Sequence, residues 1–270
     1  MSGKLYIVAT PIGNLKDFSF RAVETLNECD VILCEDVLHS LKLLNNYEIK
    51  KKLLPYHKFN EKKEQEKILS LLKEGKTVGL ISDAGTPLIS DPGYELVSRL
   101  KAEGVEYTII PGACAAISAL VLSGMNSEQF FFFGFLKGNN KSRIESLNKV
   151  KSLESTLIFY LPAHSVNEDI SLIYKVLGER KASLVSEITK IYEKVYDFTL
   201  SSDVKIDSRG EYVLVVEGNS NQQNELNSLS LEEHIKHYTD MGIDRMSAIK
   251  QVASDRNLKK SDVYNAVNKN

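Results

Sequence analysis

The stretch from Val78 to Gly93, VGLISDAGTPLISDPG, carries the residues best suited to hold a ligand. Its first four residues form an apolar run of the length and β-branched content typical of a buried strand. In the loop that follows, Gly85 lets the backbone approach a ligand that a Cβ would exclude, and Asp83 and Asp91 bring negative charge to the end of the strand. This chemistry suits a ligand that carries an amino group or another cation.

A purely structural interpretation of the same loop is also open. Asp91 would be the N-cap and Pro92 the first residue of a helix with the sequence YELVSRLKAEG, since both residue types favour those positions. Under that interpretation the carboxylate caps a helix and meets no ligand.

Two more apolar strands lead into proline and glycine loops. Leu5–Ala9 is followed by TPIGN, and Tyr107–Ile110 by Pro111 and Gly112. With helices predicted between the strands, this alternation indicates a parallel sheet whose ligand lies at the carboxyl ends of its strands. Neither a Gly-x-Gly-x-x-Gly fingerprint nor a Walker loop is present, so ordinary Rossmann cofactor binding is not expected.

The second half of the chain has more strands and fewer crossovers, which predicts a mixed sheet in a separate domain. We predict domains at 1–123, 124–220 and 221–270, the last being a linker at 220–230 and a helical tail of helix-turn-helix size. Phe130–Phe133, with Phe135, is predicted as a core strand, although a flat ligand could stack there instead. Helices are expected at 142–151, 166–177, 231–240, 245–256 and 260–267.

Composition restricts the class of protein. The 270 residues carry a formal net charge of −2, so no strongly basic field indicates a nucleic-acid partner. Locally, residues 50–67 hold seven lysines against three glutamates, a segment that either meets phosphates or is simply solvated. Cys29, Cys34 and Cys114 lack the spacing of a zinc site or a disulfide framework, and no metal is expected. The absence of a membrane span and a signal peptide predicts a cytoplasmic protein with no membrane partner.

Taken together, the motifs resemble a known superfamily. LYIVATPIGN, CEDVLH, LISDAGTPLISDPGYELV, PGACAA, GFLK, TLIFY and GEYVLVVEG, in this order, are similar to the tetrapyrrole methylases, and within them to enzymes that methylate ribosomal RNA. The resemblance implies a two-domain α/β enzyme, usually a homodimer, that binds S-adenosylmethionine between its domains. It also implies methylation of the ribose 2′-hydroxyl of a cytidine in small-subunit (16S) ribosomal RNA, either free or in the assembled subunit.

The resemblance further implies site residues. For catalysis it offers Glu35, Asp36 and His39 as proton acceptors, with His57 and Asn60 next; the ordinary alternatives are a helix cap for Asp36 and surface histidines. The cofactor would contact Pro11, Gly13, Asp83, Gly85, Thr86, Ile89, Cys114, Ala115, Leu161 and Val213.

The chain departs from the family pattern at several positions. Leu38, Ser165 and Ser186 stand where arginines are usual, and arginine is hard to replace in phosphate recognition. Two other functions therefore stay open. One is methylation of a tetrapyrrole or another small molecule, and the other is a non-catalytic RNA-binding protein of ribosome assembly.

Overall fold

The computed structural model describes residues 3–58, 60–202, 204–219, 226, 228–256 and 258–267. Its first half is a five-stranded parallel sheet in the order β3-β2-β4-β1-β5. The strands are β1 (Leu5–Val8), β2 (Val31–Cys34), β3 (Lys52–Pro55), β4 (Val78–Ile81) and β5 (Tyr107–Ile110). The helices are α1 (Phe20–Glu28), α2 (Val37–Asn46), α3 (Glu61–Lys73), α4 (Tyr94–Ala102) and α5 (Ala115–Ser123).

Both faces of this sheet are covered. Because side chains alternate along a strand, Leu80 packs with α3 and α4 on one face while the next residue, Ile81, packs with α1 and α2 on the other. Both β2 and β4 are buried along their whole length. The loops that follow the strands therefore meet at one edge, as the sequence predicts for a parallel sheet.

The second sheet is mixed and has the order β6-β7-β10-β8-β9. Only β6 and β7 pair in parallel; the other neighbours are antiparallel. The strands are β6 (Phe130–Phe135), β7 (Thr156–Pro162), β8 (Lys181–Ser186), β9 (Lys194–Thr199) and β10 (Glu211–Val216), with helices α6 (Asn140–Asn148) and α7 (Val166–Leu177). The predicted α/β class, with a parallel sheet followed by a mixed one, is confirmed.

Helix α5 links the two sheets. It follows the last strand of the first sheet, yet its buried side chains Ala116 and Leu120 pack against Val185 and Val213 of the second. Consequently the loop before α5 lies where the two sheets face each other. The predicted domain boundaries at 123 and 220 stay a prediction.

Three helices close the described chain: α8 (Leu231–Asp240), α9 (Arg245–Asp255) and α10 (Lys260–Val267). They share a small core that includes Ile235, Ile249 and Val263, as expected for a helical tail. Most of the predicted linker, at 220–225 and 227, lies outside the described residues. Within the described ranges, each helix is too short or too polar to cross a membrane.

Two strands were not predicted. The lysine-rich segment contains β3, in which Leu53 and Leu54 are the aliphatic residues, and the segment of β9 had no element predicted for it. Both are edge strands with little buried surface. Such strands lack the apolar run by which a buried strand is recognised.

One prediction was wrong, and one of the interpretations left open is excluded. The phenylalanine run is an edge strand with Phe130, Phe131 and Phe135 exposed, because β6 pairs with only one neighbour, and is not a core strand. Helix α4 does not begin at Pro92: Gly93, at φ +126°, is its N-cap, and the carboxylate that accepts the Gly93 N–H is that of Glu61, at 2.7 Å. Asp91 therefore does not cap α4.

Candidate functional site

A cavity of about 270 Å³ lies between the loops after β4 and β5 and the second sheet. We call it the first cavity. Seven of the ten predicted cofactor residues line it: Gly85, Thr86, Ile89, Cys114, Ala115, Leu161 and Val213. These residues come from four separate segments of the sequence, which the fold brings to one place.

Hydrogen bonds between loops hold the floor of the first cavity. The Gly85 N–H donates to the Thr10 carbonyl at 3.1 Å, and the Thr10 N–H donates to the Gly85 carbonyl at 2.8 Å. The Thr86 hydroxyl donates to the Ala113 carbonyl at 3.1 Å. Gly85 has φ +83°, a conformation that favours glycine. The three loops after β1, β4 and β5 are thus tied together.

The opposite wall of the first cavity comes from the second sheet. The Tyr160 hydroxyl accepts the Ala116 N–H at 3.2 Å, which joins β7 to the start of α5. Phe135 packs edge-on against Tyr160, with ring centroids 5.3 Å apart. Both rings line the cavity. The wall is apolar and aromatic, which suits a flat ligand such as adenine.

Asp91 also lines the first cavity. It is half-buried, and burial, with the neighbouring carboxylates Glu35 and Asp83, raises its pKa to about 6. The ammonium of Lys58 and a hydrogen bond with Ser82 oppose that shift without cancelling it. A positively charged ligand group beside Asp91 would stabilise the ionised form. S-adenosylmethionine, with a flat adenine and two positive charges, fits this combination of apolar walls and a carboxylate.

A second cavity, of about 340 Å³, adjoins the first. Three residues, Ile12, Ala84 and Glu211, line both cavities and form their common wall. The three remaining predicted cofactor residues, Pro11, Gly13 and Asp83, line the second cavity and not the first. A ligand of the first cavity reaches these three only if it extends past the common wall.

The candidate proton acceptors differ in their surroundings. The Asp36 carboxylate caps α2, accepting the N–H groups of Leu38 at 2.8 Å and His39 at 3.0 Å, and these bonds lower its pKa. The cap interpretation of Asp36 is therefore confirmed. Burial, aided by the charge of Asp83, raises the pKa of Glu35. A carboxylate with a raised pKa is the better proton acceptor near neutral pH.

The two histidines lie apart. His39 is exposed and lines the second cavity. His57 is half-buried beyond β3. Its backbone N–H donates to Asn60 Oδ1 at 2.8 Å, and the Asn60 side-chain amide donates to the Pro55 carbonyl at 2.9 Å. Asn60 therefore holds a turn, and neither His57 nor Asn60 lines either cavity.

Several residues that line the two cavities were not predicted from the sequence. Ile12 forms part of the common wall, Tyr160 the aromatic wall, and Lys42 and Lys190 the second cavity. Ile12 and Tyr160 lie inside recognised motifs, TPIGN and TLIFY, so their position was a usable signal. The two lysines carry no such signal because their contact with the cavity depends on the packing of α2 and of the β8–β9 loop.

The positions that lack the usual arginines lie in different settings. Leu38 is exposed on α2. Ser165 is buried and donates to the Asp169 carboxylate at 2.7 Å, to which Arg143 of α6 also donates, at 3.0 Å. Ser186 is buried and donates to the Lys194 carbonyl at 3.3 Å. An arginine from elsewhere in the chain thus reaches the carboxylate beside Ser165.

Comparisons with known proteins show the family of this chain. The family model "Tetrapyrrole (Corrin/Porphyrin) Methylases" matches residues 4–202. Proteins named ribosomal RNA small subunit methyltransferase I are similar over nearly the whole length: that of Halalkalibacterium halodurans is 44% identical over 97% of this chain and 94% of its own. The Bacillus subtilis protein of that name is 40% identical, over 98% and 94%.

A solved structure of diphthine synthase has the same fold. It is 16% identical, with a TM-score of 0.65 over 80% of this chain and 90% of its own. The family model covers the first sheet, four of the five strands of the second, and every residue that lines the first cavity except those of β10 and the turn before it. By its sequence, its two sheets and the loops that join them, this chain belongs to the tetrapyrrole methylase family.

Proposed function

We propose that the protein is an S-adenosylmethionine-dependent methyltransferase that methylates the ribose 2′-hydroxyl of a cytidine in small-subunit ribosomal RNA. The likeness to proteins named ribosomal RNA small subunit methyltransferase I, at 40 and 44% identity, supports the substrate class. The observation that carries the proposal is the first cavity, where an apolar aromatic wall faces a loop bearing one half-buried carboxylate.

In this proposal the cofactor lies in the first cavity. Gly85 and Thr86 hold it through close backbone approach, Tyr160 and Phe135 provide a flat face, and Asp91 faces a positively charged group. Pro11, Gly13 and Asp83 would contact it at or beyond the common wall. S-adenosylmethionine supplies a methyl group on a positively charged sulfur, so the protein's main task is to orient the acceptor hydroxyl.

The hydroxyl must also lose a proton. Glu35 and His39 are the proton acceptors we favour. Glu35 lines neither cavity, but it is half-buried with a raised pKa and lies near Asp83 of the second cavity, which His39 also lines. Asp36 stays in the proposal as a weaker candidate, since its carboxylate already accepts two backbone N–H groups. General-base assistance of this kind contributes roughly 10²–10⁴-fold to a rate.

We also propose a homodimer in the cytoplasm. Large apolar side chains are exposed on β5, α5 and β6, namely Ile109, Ile117, Val121, Phe130 and Phe131. Surfaces of this kind are common where protein subunits meet. A sedimentation-equilibrium mass of one chain would contradict the dimer.

The test of the function is transfer of labelled methyl from S-adenosylmethionine. The acceptors are small ribosomal subunits from a strain lacking this protein, naked ribosomal RNA, and a free tetrapyrrole. Nuclease digestion then maps the label. We expect label on one cytidine ribose of the RNA; label on the tetrapyrrole alone, or on no acceptor despite measured cofactor binding, would contradict the proposal.

A further inference from the structure

The second cavity is built from five parts of the chain, two of which are the loop after β4, with Asp83 and Ala84, and the first residue of β10, Glu211. Helix α2 contributes His39, Lys42 and Asn46, which are three and four residues apart and so share one helix face. The loop after β1 contributes Pro11 to Gly13, and the β8–β9 loop contributes Lys190. The cavity is therefore bounded by both halves of the fold.

Its lining differs in kind from that of the first cavity. Two lysines, a histidine and an asparagine offer hydrogen-bond donors, while Ile12, Leu15 and Leu43 offer apolar contact. The carboxylates of Asp83 and Glu211 also line it, and that of Glu211 is paired with Lys190. A ligand with an anionic group, hydroxyls and one flat apolar face would satisfy this set. A ribonucleotide has all three.

The two lysines have different roles in the free protein. Lys190 donates to Glu211 at 2.7 Å and to Glu187 at 3.2 Å, so its charge is already paired. Its side chain also fills the space beside Gly13, where an added Cβ would approach Lys190 Cγ to 2.6 Å. Lys42 is exposed, and no ion pair involves it within the part of the chain that the structure describes. Lys42 is the cation left to meet an anion.

The position of the cavity matters as much as its lining. It meets the first cavity at Ile12, Ala84 and Glu211, and its volume of about 340 Å³ falls within the roughly 300–1,000 Å³ of small-molecule sites. A nucleotide in one cavity and a methyl donor in the other would meet at this wall.

We propose that the second cavity holds the ribonucleotide that receives the methyl group, with Lys42 at a phosphate of that nucleotide. The proposal rests on the proposed function, because it needs RNA as the acceptor. It assigns the acceptor to α2 and the loop after β1, and the cofactor to the first cavity.

The experiment measures methyl transfer and RNA binding with Lys42→Ala. We expect the KM for ribosomal RNA to rise about tenfold and the cofactor Kd to stay unchanged. The slope of log affinity for RNA against log salt concentration should fall by roughly one contact, about 0.7–0.9. Lys42→Arg should restore most of the affinity, because it keeps the charge. The matched control is Lys175→Ala, an exposed lysine of α7 that lines neither cavity.

A second variant tests the cavity without removing charge. Asn46→Trp, on the exposed last turn of α2, should obstruct the cavity and lower methyl transfer to RNA with the cofactor Kd again unchanged. The inference would be overturned if Lys42→Ala bound RNA with the affinity and salt dependence of the wild-type protein. It would also be overturned if both variants bound the cofactor more weakly. Failure of the proposed function would differ: the wild-type protein itself would transfer no methyl to RNA, while the salt slope would still report on Lys42.

Discussion

The two cavities share three residues and yet are lined by different kinds of surface. The first is aromatic and apolar, with Asp91 as its half-buried carboxylate, whereas the second holds two lysines, a histidine and an asparagine beside the carboxylates of Asp83 and Glu211. Because Glu211 is paired with Lys190, Lys42 is the cation that we assign to an anion there, while the carboxylate of the first cavity favours a cation. In our proposal this difference separates a positively charged methyl donor from a negatively charged acceptor.

The common wall explains how the two surfaces stay distinct. The Thr10 and Gly85 backbones exchange two hydrogen bonds, which hold the β1 and β4 loops against each other. Ile12 and Ala84 lie next to this pair and line both cavities. The loops that form the floor of one cavity therefore form the side of the other.

The largest expected effect comes from filling the first cavity. Gly85→Leu puts a side chain at a residue that lines the first cavity. A Cβ added there would lie 3.2 Å from Ile12 Cγ2. We expect cofactor affinity to fall about a hundredfold, equivalent to about 2.7 kcal/mol, as measured by calorimetry. Gly104→Leu is the control, because Gly104 also has positive φ, at +68°, but has open space around it.

Both leucine variants should lose a similar stability from the left-handed backbone, about 1–2 kcal/mol. Only Gly85→Leu should lose the cofactor. Equal cofactor binding by the two variants would show that the first cavity does not hold it.

A smaller effect is expected from the charge of the first cavity. Asp91→Asn should weaken cofactor binding about tenfold at pH 7.5, because a charged hydrogen bond contributes roughly 1.5–3 kcal/mol. In the wild-type protein the affinity should fall as the pH drops through about 6, where Asp91 takes up a proton. The variant should show no such fall. Calorimetry between pH 5 and 8 measures both, with the exposed Asp240→Asn as control.

The same substitution should change stability in the opposite direction. Because the fold raises the pKa of Asp91, the ionised side chain destabilises the free protein above pH 6, and protonation relieves this at lower pH. Asp91→Asn should therefore be more stable than wild type at pH 7.5, by about 1 kcal/mol after allowance for partial exposure. The gain should vanish below pH 4. A gain that is independent of pH would contradict the assigned pKa.

The smallest effect concerns Asp36, which lies beside Asp83 but caps a helix. Asp36→Ser keeps a side-chain acceptor at the N-cap and removes the carboxylate. We expect its kcat to stay within about threefold of wild type, whereas Asp36→Ala should lower the melting temperature because the cap is lost. A large fall in kcat with Asp36→Ser and an unchanged melting temperature would make Asp36 the proton acceptor and remove the distinction from Glu35.

Much of the fold was predictable because apolar runs that end in proline and glycine loops mark strands. β4 and β5 begin and end at the expected residues, although β4 is buried along its length and β5 is an edge strand with Ile109 exposed. The edge strands β3 and β9 were missed and β6 was wrongly placed in the core. Whether a strand lies at the centre or at the edge of a sheet depends on tertiary pairing, which the residues of the strand alone do not determine.

The candidate site was predictable to a similar degree. The resemblance to the family implied seven residues of the first cavity, whereas residue chemistry alone pointed only to the loop after β4, with its glycine and its aspartates. Of the two interpretations left open for Asp91, the capping one is excluded, because Gly93 is the N-cap of α4 and Glu61 accepts its N–H. The division into two cavities was not foreseen. It depends on how the β8–β9 loop and α2 approach the first loop across the interface of the two halves.

The most direct test of the account is a crystal structure of the protein with S-adenosylhomocysteine. We predict that the ligand lies in the first cavity, with its adenine against Tyr160 and Val213 and its positively charged amino group directed toward Asp91, and that His39 and Lys42 stay clear of it. A ligand seated in the second cavity against Lys42, with the first cavity empty, would contradict the assignment of the two cavities.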